Sequence, residues 1–76
     1  MQALKPLSWK KLACVFESLG FRFERQKGSH RSYVKPGLAR PLVIPKESEV
    51  PVFIITGLMK TAGIDRATFF ELLKEC

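Results

Sequence analysis

Only two cysteines, Cys14 and Cys76, and one histidine, His30, occur among the 76 residues. Cysteines so few and so far apart suggest no disulfide framework, metal-ligand spacing is absent, and a reducing compartment fits best. Long apolar runs are missing too. Val52 to Ile55 falls far short of a bilayer span, and the N-terminal MQALKPLSWKKL carries no run long enough for a signal peptide. The expected location is therefore cytoplasmic, with no membrane contact. Repeats, low-complexity tracts and linkers are absent, so residues 1–76 are expected to form a single domain. A domain this small buries only about 60% of its unfolded surface and cannot enclose a deep active site. Any chemistry belongs in a shallow groove. What is present is ordinary globular composition, 46% apolar and 11% aromatic, which excludes a disordered tail.

Acidic residues are scarce in one place. Between positions 22 and 46, Arg22, Arg25, Lys27, Arg31, Lys35, Arg40 and Lys46 face Glu24 alone, a local net charge of +6. Residues 1–21 add +2 and residues 47–76 add −2. A localised basic stripe suits a polyanion, and phosphate backbones are the common one; the alternative is a solvated face that keeps a small protein soluble.

Periodicity gives the elements. Ser8 can cap a helix over 9–19, whose stripe is Trp9, Leu12, Ala13, Phe16 and Leu19, with Gly20 as its left-handed terminator. The period then drops to two at Phe21 and Phe23, the sign of a half-buried strand. Lys27-Gly28-Ser29 reads as a hairpin turn, and His30 to Lys35 as a second strand. Leu42, Val43 and Ile44 form a third, which Pro41 places at a sheet edge. Pro51 opens a helix carrying Ile54, Ile55, Leu58, Met59 and Ala62 on one face, and Gly63 ends it. Asp65 caps a last short helix, with Ile64 and Phe69 as a hydrophobic staple. The expected fold is α+β: a three-stranded antiparallel sheet with helices on one face and the basic stripe on the sheet and its turns. In the second strand His30, Ser32 and Val34 share one face and Arg31, Tyr33 and Lys35 the other. Both sets are mixed, so alternation leaves the buried face open.

His30 is the one side chain suited to acid–base work near neutrality, and it lies inside the cationic stripe. RNA hydrolysis needs a group to take the 2′-hydroxyl proton, another to protonate the leaving 5′-oxygen, and cations to offset charge on the phosphorane. No acidic pair near His30 could hold a metal, so a metal-free route is the simpler expectation. On residue type alone, a lone histidine is more often structural or merely exposed.

The pattern LGFRFERQKGSHRSYVKPG, followed by Ile44-Pro45 and GLMKTAGIDRATFFELL, resembles the HicA family of mRNA interferase toxins from about Ser8 to Leu73. That resemblance implies a double-stranded-RNA-binding-domain-like αβββα fold. It also implies a toxin of a type II toxin–antitoxin system that cleaves mRNA without metal or cofactor, blocks translation and growth, and is silenced by a HicB-like antitoxin. The family's catalytic histidine falls on His30, presented by Gly28 and Ser29. RNA contacts are expected from Arg22, Arg25, Lys27, Ser29, Arg31, Lys35, Arg40 and Lys46, and no DNA binding by this chain alone. Two positions depart from the family pattern. Arg31 replaces a second histidine, and Lys46-Glu47 replaces a histidine beyond Pro45; if those histidines assist catalysis in the family, this chain uses Arg31 or Lys46 instead or is the weaker enzyme. The competing functions are a non-catalytic RNA-binding module of the same fold and a protein-interaction domain for an acidic partner.

Overall fold

The computed structural model describes residues 3–76; Met1 and Gln2, which open the N-terminal segment read above, lie outside the described residues. The elements are α1 (Trp9–Ser18), β1 (Arg22–Lys27), β2 (His30–Val34), β3 (Leu42–Pro45), α2 (Val52–Ala62) and α3 (Arg66–Lys74). The strands form one antiparallel sheet in the order β1-β2-β3. This is the expected α+β arrangement, αβββα with a further C-terminal helix.

Local chemistry sets the boundaries. Ser8 Oγ accepts the Lys11 amide at the start of α1, satisfying one of the helix's orphan donors. At the other end, the helix stops one residue short of the expected Leu19. The Gly20 amide donates to Glu17 O and the Phe21 amide to Phe16 O, with Gly20 at φ 101°. That pair of bonds is a Schellman closure, which needs the left-handed residue that glycine supplies. Its usual hydrophobic contact is present as well: Phe16 and Phe21 meet edge to face at 6.2 Å. In α2 the β-branched Val52 and Ile55 remain helical because Ile55, Leu58 and Met59 bury one common face. Asp65 Oδ1 accepts the Thr68 amide at the start of α3, and that bond holds the Asp65 carboxyl below the usual aspartate range. A lowered folded pKa means that this cap stabilises above the ordinary aspartate range and is lost as pH falls through the folded value.

The core lies between the helices and one face of the sheet. Leu12, Val15 and Phe16 of α1, Phe21 just before β1, Tyr33, Leu42 and Ile44 of the sheet, Ile55 of α2 and Phe69 of α3 are all essentially removed from solvent. Tyr33, Leu42 and Ile44 therefore mark the covered face. Strand partners point to the same side, so Arg31, which pairs with Ile44, lies on that side too. His30, Ser32 and Val34 lie on the opposite, open face.

One expectation is overturned. Cys14 and Cys76 are joined in a disulfide, with Cα atoms 6.0 Å apart, and among the described residues no cysteine is free. Distance along the sequence misled because α1 and α3 pack together, which brings residues 62 apart within bonding reach. Cys14, read as a plain helical residue, is thus a cross-link holding the C-terminal end against the first helix. In the loop-closure account, a loop of this length is worth about 4 kcal/mol, with measured losses on removal of about 2–5 kcal/mol. Cys14→Ser should lower the unfolding free energy from urea titration by that margin, and adding reductant to the parent should reproduce the loss without further effect on the variant.

Candidate functional site

The site is built around the β1–β2 hairpin. Lys27 pairs with His30, so Gly28 and Ser29 alone make the turn. Gly28 has φ 60° and no other residue of the turn has positive φ, the pattern of a type II′ turn. A Cβ at Gly28 would meet nothing within 4 Å, so the requirement for glycine is conformational rather than steric. Ser29 O accepts the Lys46 amide, tying the turn to the chain leaving β3.

Register then sorts the basic residues. On the open face Arg22 pairs with Val34, Arg25 with Ser32, and Lys27 with His30. Arg22, Arg25, Lys27 and His30 are all exposed. Between Phe23 and Arg25 the register shifts by one residue, a bulge that takes up Glu24. Without it, Arg25 and Lys27 would turn to the covered side. The open face thus carries three cations in line with one imidazole, flanked by Val34 and the exposed Val43. The His30 backbone belongs to the ladder, while its imidazole makes no hydrogen bond among the described residues.

Arg31 and Lys46 are placed differently. The Arg31 guanidinium lies 4.1 Å from the centroid of the Phe23 ring and 4.8 Å from that of Trp9. Its Nε donates to Tyr33 Oη at 3.0 Å and its Nη1 to Gln26 Oε1 at 2.9 Å. Lys46 Nζ lies 5.7 Å from the Trp9 ring, and Lys10 Nζ lies 6.0 Å from it. These groups occupy the hairpin end of the sheet, on the helix side. Lys35 sits at the far end of β2 with Nζ 5.6 Å from the Phe21 ring, and Arg40 is exposed in the β2–β3 connection. The single basic stripe read from the sequence is therefore three groups: an open-face row, a cluster around Trp9, and a pair at the opposite end.

A model of the family described as "HicA toxin of bacterial toxin-antitoxin" matches residues 9–64. The chain belongs to the HicA toxin family. It is therefore a toxin of a bacterial toxin–antitoxin system, a class that works against an antitoxin partner. The comparison with curated proteins finds no match. The HicA match takes in α1, the whole sheet and α2; α3, with the disulfide-bonded Cys76, lies beyond it. Among the described residues no three His, Cys, Asp or Glu side chains are grouped to hold a metal ion, and no helix is long and apolar enough to cross a membrane.

Trp9 packs against the core, as its place in the helical stripe implies, but its ring also meets the cations, a contact the sequence reading leaves out along with any role for Lys10. One signal was available. The first turn of α1 holds Lys10 and Lys11 and no acidic residue, the reverse of what the helix dipole favours.

Gly28→Ala should cost about 1–3 kcal/mol of stability, the penalty for holding a non-glycine residue at positive φ, because no contact with neighbouring atoms adds to it. Urea unfolding gives that value. A Gly28→Asn variant, with a residue more tolerant of positive φ, should recover part of it.

Proposed function

We propose that this HicA-family toxin is an mRNA endoribonuclease acting through His30 on the open face of the sheet. One observation carries the reading: the hairpin register sets His30 opposite Lys27, in line with Arg25 and Arg22, on a face no helix covers. An RNA strand laid along that row has its phosphates among cations and one phosphodiester at the imidazole. His30 accepts the 2′-hydroxyl proton, the 2′-oxygen attacks phosphorus, and the 5′-oxygen leaves with a proton from a second donor. Lys27 and its neighbours offset the charge that builds on the phosphorane. Ser29 and Arg40 extend the contact surface at the turn and at the far end. No step draws on a metal or cofactor. A HicB-like antitoxin would silence the enzyme by covering this face. The substrate places the protein in the cytoplasm, where thiols are kept reduced. There Cys14 and Cys76 would be thiols, and α3 must hold its place through Phe69 and its neighbours without the cross-link.

A non-catalytic RNA-binding module is the second reading. It is favoured by the lack of any hydrogen-bond partner to orient the imidazole. The two readings separate on a long mRNA in EDTA. The parent chain should degrade it, and His30→Ala should not, while its stability changes by less than about 0.5 kcal/mol, as for other exposed substitutions. Binding without cleavage by the parent would favour the module.

Binding should also depend steeply on salt. If three or four cations meet backbone phosphates, log Kobs against log salt should have a slope near −2 to −3, from about −0.7 per contact on a single strand. Charge reversal at Lys60 or Lys74, outside the stripe, should leave that slope unchanged. A slope near zero would reduce the stripe to a solubility feature.

A further inference from the structure

The Trp9 cluster has an unusual charge balance. Lys10, Arg31 and Lys46 all lie within 6.0 Å of one indole centroid. Among the described residues none of the three forms an ion pair. The positive end of α1 adds to the same field, and Lys11 follows Lys10 in its first turn. Cation–π attraction offsets part of the mutual repulsion, though modestly at an exposed site. Arg31 is also fixed in orientation. It is held between the Phe23 and Trp9 rings by bonds from Nε and Nη1, so its remaining Nη2 donors are pre-set for a ligand. Glu47 is the neighbouring acidic residue, its carbonyl accepting the Trp9 amide, but among the described residues it forms no ion pair with these cations; converging and with one of them immobilised, they suit an anion.

Its position says which anion. His30 pairs with Pro45, and Lys46 follows directly. Arg31 follows His30. The cluster and the imidazole therefore occupy the same end of the sheet on opposite sides of its edge, with the Gly28-Ser29 turn between them. A ligand touching both must be extended and must repeat its negative charge. Aromatic rings interleaved with cations are the usual surface for single-stranded nucleic acid.

We propose that Trp9, Lys10, Arg31 and Lys46 form a second RNA subsite, which grips a backbone phosphate beyond the hairpin edge and holds the strand against His30. The proposal rests on the RNA reading above and adds Trp9 and Lys10 to it. Trp9 is a positioning residue: it gathers the cations and touches no reacting atom.

Trp9 is the sole tryptophan, so its fluorescence reports this subsite alone. The probe is a single-stranded 2′-O-methyl oligoribonucleotide, which lacks the 2′-hydroxyl needed for cleavage. Binding is followed by the anisotropy of an end label and, in parallel, by Trp9 emission. Both should change with one midpoint. Lys10→Ala combined with Lys46→Ala should weaken binding by roughly tenfold at 0.1 M salt and flatten the salt slope by about 1.4, the loss of two single-strand contacts. Both lysines are exposed, and an unchanged circular dichroism spectrum and Tm would confirm that the double variant is folded. A rise in anisotropy with unchanged emission, and a double variant that binds like the parent, would overturn the subsite while leaving RNA binding by the open face intact. Emission that responds to poly-glutamate but not to the oligonucleotide would assign the cluster to an acidic protein and also overturn it. No response of either signal in the parent would defeat the RNA reading itself, and the subsite with it.

Discussion

Phe16 is where three segments of the chain meet. Its ring is fully buried, edge to face with Phe21 at 6.2 Å and tilted against Phe69 at 6.4 Å. Phe21 leads into β1 and Phe69 belongs to α3, so one side chain joins the first helix, the sheet and the last helix. The backbone repeats the connection, since the Phe21 amide donates to Phe16 O. In a chain this small, large aromatic groups supply much of the available apolar burial, and few other contacts could replace this one. The direction in which β1 leaves α1 follows from it, and with that direction the side of the sheet the helices cover.

The positive charge is divided by that arrangement, with Arg22, Arg25 and Lys27 on the open face and Arg31 on the helix side. The Lys74–Glu71 pair lies on α3, with both side chains well exposed, where such pairs contribute little. Among the described residues the sheet cations have no such partners, and their repulsion is a standing cost to the compact state. It is tolerated by two means. The open-face row is spread along a strand in full contact with water, which screens it. Arg31 is instead buried part-way, with aromatic faces on two sides and acceptors at two nitrogens.

Much of this was legible in the sequence. The Ser8 cap, the Gly20 terminator, the Gly28-Ser29 turn and the Asp65 cap each depend on residues within a few positions of one another, and each was read correctly. The facing of β2 stays open in the sequence, because Arg31 and Tyr33 alternate with His30 and Ser32, and polar residues occur in both sets. What decides the facing is long-range: Trp9 and Phe23 supply a surface on which a guanidinium can lie over the covered side. The bulge at Glu24 was equally hidden, since a strict period of two would have put Arg25 with Phe23. The disulfide was missed for the same reason, as nothing near Cys14 in the sequence announces Cys76. The basic character of the site was plain from composition, while its division into an open row and a cluster around Trp9 required the register.

The bulge has a consequence for how this sheet meets others. A three-stranded sheet has two free edges, each a row of unpaired backbone groups that invites pairing with a strand from another molecule. On β1 the extra residue at Glu24 interrupts the regular spacing of those groups, and Arg22, Arg25 and Lys27 would bring like charges together in any copy aligned beside it. On β3 the edge is only four residues long, with Pro41 just before it and Pro45 at its end, neither of which can donate a hydrogen bond. The features that prepare the open face for a polyanion thus also protect the molecule from fibrous self-association.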